Sequence, residues 1–418
     1  MQKSSLLCAL AICLIPLVPN AAMGDVGYAW GLNSNGELGD GTTINRNAPV
    51  PISFLSNSVT MLAGGFEHGI ALQSGALYAW GLNSSGQLGD GTTTTHLTPI
   101  PLASPLSSSV TVISAAGNHS LAILGGGVYS WGQNSKGQIG DGTTIDRTSP
   151  LALTGTLSNG VSAIAAGGTH SLALKNGAVY AWGNNFAGQV GDGTTTTRKS
   201  PVALTGTLST GVTAITAGEF SSFALKDGGV YAWGLNANAE LGDGTHTNRP
   251  TPIALSGEMS SGVSAIAAGG QDFTLALKNG SVYAWGSNNG GVLGDGTFTE
   301  HTLPTLVAGL PQISSIAASG YTSYALTADG SLWVWGQNTF GSLGLGDNRP
   351  YNTVPINVPA PAGFRYTGIF PLDQSVLATV ALIPVPEPGT ACLIMCGTAL
   401  LLKRRKHSPP TLRPHFVT

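Results

Sequence analysis

The sequence predicts an all-β fold, a seven-bladed propeller of repeated four-stranded sheets. Three observations carry that prediction. Tryptophan recurs at Trp30, Trp80, Trp131, Trp182, Trp233, Trp285 and Trp335, with gaps of 50, 51, 51, 51, 52 and 50 residues. A fixed period of this size is the mark of a repeat architecture. Each unit alternates polar and apolar residues in short runs, and no 3.6-residue apolar period interrupts them. The first unit lacks its leading strands, and strands of that type appear unpaired at the far end of the chain.

The unit around Trp182 shows how one repeat reads. Val161 to Ala165 alternates and reads as a strand, followed by the small residues Ala166, Gly167 and Gly168. The runs 170–174 (HSLAL) and 178–182 (AVYAW) flank Lys175, Asn176 and Gly177, which is the pattern of a β-hairpin. A turn-rich stretch, 188–193 (GQVGDG), leads to a fourth short run at 200–204, where Pro201 suits an edge strand. One such sheet cannot bury both faces, whereas seven arranged radially can. The tryptophans are therefore assigned to the core between blades.

The first repeat unit opens directly at 26–31 (VGYAWG), without the HSLAL-type strand that should precede it. Runs of the HSLAL type start at His68, His119, His170, Ser221, Phe273, Thr322 and Gln374, and the last is followed by no tryptophan strand. Strands near 364–379 are expected to pair with Tyr28–Trp30, complete the seventh blade and remove two exposed sheet edges. The repeat region thus runs over 25–384.

Both ends differ from the repeats. Residues 1–24 read as a secretory signal peptide: Lys3, an apolar run from Leu6 to Val18, and Ala22 and Gly24 before Asp25. Residues 385–418 hold Pro386, Glu387 and Pro388, an apolar run from Ala391 to Leu402, and the basic cluster Lys403 to Lys406. The apolar run is short for a membrane span, and the cluster reads as a cytoplasmic stop. All four cysteines (Cys8, Cys13, Cys392, Cys396) fall in these terminal segments, so the repeats hold neither a disulfide nor a thiolate metal site.

Only 9% of residues are charged. Within 25–384, eleven Lys and Arg face nineteen Asp and Glu, an acidic balance without a basic stripe, which argues against nucleic-acid binding. The Gly-Asp-Gly-Thr turns at Asp40, Asp90, Asp141, Asp192, Asp243 and Asp295 raise a calcium reading. An Asx-type turn, in which the acid caps its own backbone, is the simpler one. His68, His119 and His170 are expected on separate blades, each bonding a neighbouring loop rather than converging on a metal. Asn33, Asn83, Asn134, Asn236, Asn288 and Asn338 follow Trp-Gly and are expected to set turns. Trp333 is an eighth tryptophan on the face of Trp335 by alternation. No catalytic triad, phosphate loop or paired-acid motif stands out. No catalytic, cofactor-binding or metal residue is therefore assigned, and no cofactor.

The pattern A-G-x-x-H-S-L-A-L and then V-Y-A-W-G-x-N-x-x-G-Q-L-G-D-G-T, clearest at Ala166–Thr194 and Ala116–Thr143, resembles the RCC1 (regulator of chromosome condensation) repeat family across nearly all of 25–384. The resemblance implies a seven-bladed propeller closed by strands from both chain ends. Pro386, Glu387 and Pro388 with Arg404 and Arg405 resemble a PEP-CTERM sorting signal. That resemblance implies a Gram-negative bacterium, an exosortase-type sorting enzyme as processing partner and transient membrane association. Twelve residues follow the basic cluster here, more than that pattern usually carries.

The functional expectation is an exported, non-enzymatic binding propeller at the cell surface, outer envelope or extracellular matrix, with a protein or polysaccharide ligand. Family analogy offers an alternative, a guanine-nucleotide exchange factor for a small GTPase. A glycan-acting propeller enzyme is the third class.

Overall fold

We describe a computed structural model of the chain, covering residues 25–382 apart from 271, 373 and 374. The signal-peptide segment, the Pro386–Pro388 motif, Arg404 and Arg405 lie outside the described residues, as does Gln374.

Among the described residues, twenty-eight strands form seven four-stranded antiparallel sheets. The third blade is representative. Its strands Val161–Ala166, His170–Lys175, Ala178–Gly183 and Arg198–Ala203 pair in sequence order. The Asn176-Gly177 hairpin turn puts both residues at positive φ, 53° and 77°. This is the backbone that a two-residue hairpin demands and that Asn and Gly tolerate. The fourth strand meets the third with an irregularity between Ala181 and Gly183, where the long loop after the tryptophan leaves the sheet. Pro201 lies in this outer strand, where an absent N–H costs the sheet nothing.

The seventh blade is assembled from both ends in the order Arg46–Pro51, Val26–Gly31, Ser375–Leu382, Phe364–Pro371. Val26–Gly31 pairs with the C-terminal strand over six residues, from Val26 opposite Val380 to Gly31 opposite Ser375. Asp25 accepts a 2.7 Å hydrogen bond from the Thr367 hydroxyl. The register corrects one sequence alignment. The residue facing the Gly after tryptophan is His68, His119 and His170 in the first three blades, and Ser375 in the seventh. Gln374 therefore precedes the repeat position by one.

All seven repeat tryptophans are fully buried. Each indole N–H donates to a backbone carbonyl in the long loop of the preceding blade: Trp80 to Glu37, Trp131 to Gln87, Trp182 to Gln138, Trp233 to Gln189, Trp285 to Glu240, Trp335 to Val292 and Trp30 to Ser342, all at 2.8–3.0 Å. The ring atoms fill the space between sheets, as in the cluster of Trp233 with Leu174, Val190 and Leu208. A buried indole removes about 150–250 Å² from water. The approach is close enough to require glycine. Gly140 has φ 84°, and a Cβ there would lie 2.7 Å from Trp182 Nε1. Trp333 stands two residues before Trp335, where six other strands have tyrosine, and is half-buried.

Ring closure should be measurable by truncation of one side chain. Leu377, fully buried in the closing strand, packs against Trp80 and Ala29. Leu377→Ala should lower the unfolding free energy by about 2–5 kcal/mol in chemical denaturation. A loss under about 0.5 kcal/mol would show that the closing strand is not part of the cooperative core.

Candidate functional site

The strand order puts two sets of loops at the same end of the ring. These are the short connections between first and second strands and the long connections after each tryptophan. The first strands line an axial cavity of about 600 Å³, walled by Ala63, Ala115, Ala165, Ala217 and Ala267, with Ile369 and Phe370 from the seventh blade. A smaller cavity of about 160 Å³ lies among the short connections, at Gly65, Gly117, Gly168, Gly270 and Gly320.

The long loops are built on asparagine. Asn185 Oδ1 accepts from Val190 N at 2.9 Å, while Nδ2 donates to Asp192, Thr194 O and Thr196 O. Asn33, Asn83, Asn134, Asn236, Asn288 and Asn338 each accept from the backbone N–H five residues on, as expected of turn-setting residues. Sequence reading missed Asn185, because Asn184 shares the Trp-Gly-Asn-Asn string; counting three residues from tryptophan finds it.

The Gly-Asp-Gly-Thr acids serve these loops. Asp141 Oδ1 accepts from Thr143 N and Oγ1 at 2.9 and 2.7 Å, and Oδ2 accepts from Arg147 Nε at 2.8 Å. Burial alone would raise this carboxyl. The bonds from Thr143 and Arg147 outweigh it and hold the group below the usual range. Arg46, Arg198 and Arg249 pair likewise with Asp40, Asp192 and Asp243, and His96 and His301 with Asp90 and Asp295. These carboxylates cap their own backbone and already face a guanidinium or imidazole. In the sixth blade the motif shifts, and Asp347 pairs with Arg349 two residues on.

The three histidines lie on successive blades and bond strands rather than loops. His68, His119 and His170 each place Nε2 2.9 Å from the hydroxyl of Ser120, Ser171 and Ser222 on the next blade. Those hydroxyls donate to Gln87 O, Gln138 O and Gln189 O, the carbonyls that also receive the tryptophan N–H. A hydroxyl whose hydrogen is committed accepts from Nε2–H, so each imidazole is the neutral Nε2–H tautomer. Burial pushes His68 and His170 down to about 3 and His119 to about 4. Among the described residues no group of three or more His, Cys, Asp or Glu is placed to hold a metal ion.

Among the described residues, four of the five exposed aromatics lie on or beside the long loops; the fifth, Phe54, 73% exposed, lies at the opposite end of the ring, after Arg46–Pro51. Phe186, 54% exposed on a long loop, meets Phe220 on a short one, edge to face at 5.2 Å. Phe340 is 43% exposed, and Phe298 meets Tyr351 edge to face at 5.0 Å. No helix among the described residues is long and apolar enough to cross a membrane; the 391–402 run lies outside them.

Two outcomes follow from the buried network. A histidine with a depressed folded pKa binds its proton only on unfolding, so its contribution to stability is complete above about pH 6.5 and is lost as pH falls to about 3 for His68 and His170 and about 4 for His119. His170→Ser, which installs the fourth blade's residue, should reduce the slope of unfolding free energy against pH over 4.5–6 by about 1.4 kcal/mol per unit. An unchanged slope would refute the neutral buried state. Asn185→Ala should cost about 2–4 kcal/mol by leaving buried groups unpaired; a loss within 0.5 kcal/mol would show the loop is held otherwise.

Comparison with known proteins agrees with this geometry. Residues 25–371 match the RCC1-like domain family. Human E3 ubiquitin-protein ligase HERC2 is 31% identical over 293 residues, 68% of this chain and 6% of that protein. The Arabidopsis thaliana ultraviolet-B receptor UVR8 is 31% identical over 291 residues, 68% of this chain and 66% of that protein. The chain thus spans a small part of the first and just under two thirds of the second. Among solved structures, Prp20p from Saccharomyces cerevisiae, described with its binding properties to Gsp1p and histones, aligns over 90% of this chain and 96% of its own. Its TM-score is 0.76 at 24% identity. Human WBSCR16 aligns over 86% and 100%, with a TM-score of 0.77 and 26% identity. The chain belongs to the RCC1-like domain family.

Proposed function

We propose that this chain is an exported, non-enzymatic binding propeller that engages a protein partner, or a surface polysaccharide, through its loop-bearing face. The observation that carries the reading is the division of labour among side chains. The repeated Asn, Asp, His and Ser residues hold loops and blades together, while the loop face presents unburied aromatics such as Phe186 and Phe340. Exposed apolar groups gathered on one face are a feature of interaction surfaces. Export rests on the two terminal segments: the 1–24 leader pattern, and Pro386–Pro388 with Arg404 and Arg405 as substrate of an exosortase-type enzyme. The acidic repeat region gives no support for a nucleic-acid ligand.

A second reading, a nucleotide-exchange regulator of a small GTPase, draws on the fold shared with Prp20p, for which binding to Gsp1p is described. Cell compartment separates the two.

Intact-mass measurement of the protein from each cell fraction tests the export reading. A species lacking 1–24 and the tail beyond Pro388, found outside the inner membrane, is the expected result. A full-length cytosolic protein would overturn export and direct the next assay to nucleotide release from a small GTPase.

A further inference from the structure

The periodic chain departs from its repeat at the junction between the fourth blade (212–254) and the fifth (263–306). The long-loop position whose carbonyl receives the tryptophan N–H is Gln87, Gln138 or Gln189 in the first three blades and Glu240 in the fourth. The glycine before it becomes Ala239, held at φ 57°. The following short connection is one residue longer than its counterparts, which brings in Asp272 at φ 59°. A left-handed backbone at two non-glycine residues has a steric cost.

These departures bring two carboxyls together. A Cβ on Gly286 would lie 2.4 Å from Asp272 O and 3.2 Å from Glu240 Cα, so the two residues flank one point. Asn238 ties them: its backbone N donates to Glu240 Oε2 at 2.9 Å and its Nδ2 to Asp272 Oδ2 at 2.8 Å. Glu240 is 1% exposed, and its Oε1 is buried with no hydrogen-bond partner. Where glutamine occupies this position, the facing residue is neutral: Asn118 for Gln87, Thr169 for Gln138, Phe220 for Gln189. The other glutamate, Glu37, also has an acid within electrostatic reach, Glu67, but its Oε1 is satisfied, accepting from Ser34 Oγ at 3.3 Å. Glu300, 35% exposed and 3.3 Å from His246, adds a third acid within electrostatic reach. Buried like charges repel unless a proton or cation lies between them.

The geometry points to a site for one hard divalent cation, Ca²⁺ or Mg²⁺, held by Glu240 Oε1 and the Asp272 carboxylate at this junction. A buried carboxylate oxygen with no hydrogen-bond partner is an open ligand position for such an ion. Two protein carboxylates with water in the remaining positions make a sufficient shell for such ions. The site lies away from the Gly-Asp-Gly-Thr turns, whose carboxylates are filled by their own backbone and by cationic side chains. Trp285 donates its indole N–H to Glu240 O at 2.9 Å, so a luminescent lanthanide bound here would sit beside an aromatic donor.

The test uses the full chain freed of metal by chelation, at pH 7.5. Millimolar CaCl₂ or MgCl₂ should raise the melting temperature by about 2–4 °C, and the two salts separate the ions. Terbium should show tryptophan-sensitised emission that Ca²⁺ displaces. Glu240→Gln restores the residue of three other blades and should fold while losing both responses; Glu37→Gln should keep them. No cation-dependent shift or emission in the wild-type chain, with stability moving only with pH, would mean a proton alone occupies the pair and would overturn the proposal. A response retained by Glu240→Gln, or lost in Glu37→Gln, would overturn the assignment equally.

Discussion

The indole N–H to backbone carbonyl bond between adjacent blades is the constraint on which the rest of this structure depends. It fixes the distance from each sheet to the preceding long loop, because a buried N–H left unpaired is costly. Its acceptor is main chain, so the residue supplying it varies freely: Glu37, Gln87, Val292 and Ser342 all serve. The donor cannot vary in the same way, and tryptophan recurs in every blade. The glycine that lets the backbone approach the ring, Gly140 in the second blade, follows from the same contact.

Around that bond the polar residues form a second tier. The hydroxyls of Ser120, Ser171 and Ser222 share the tryptophan's acceptor carbonyl and receive the imidazole of the preceding blade. Three consecutive junctions therefore carry a chain running from imidazole to hydroxyl to carbonyl, with indole as the second donor. The later junctions drop the imidazole but keep a hydroxyl at Thr274 and Ser323. Closure joins the same lattice across 312 residues of sequence, through Trp30 and Ser342. The ring thus depends on its terminal strand as it does on any internal one.

The fold was legible because its signals are periodic. Tryptophan spacing gave the blade count, alternation gave the strands, and the incomplete first unit gave the closure. What escaped was local or long-range. Ser375 was misaligned by one residue because its strand lacks a tryptophan partner in sequence to fix the register. The partner of each histidine lies 52 residues away on another blade, and no local pattern announces it. The junction of Glu240 and Asp272 left traces in the sequence, a Gln-to-Glu change, a Gly-to-Ala change and a 52-residue gap. Their meaning needed the register that brings residues 32 apart face to face. A face composed of loops from several blades has no linear signature at all.

Native-state hydrogen exchange of the indole N–H groups tests the central account most directly, with half-buried Trp333 as an internal reference. If every blade is locked by the same bond and the ring is closed, the seven repeat indoles exchange together, at the rate set by global unfolding. Faster exchange of Trp30, the indole at the closing junction, would show that the ring opens there first and would contradict the account.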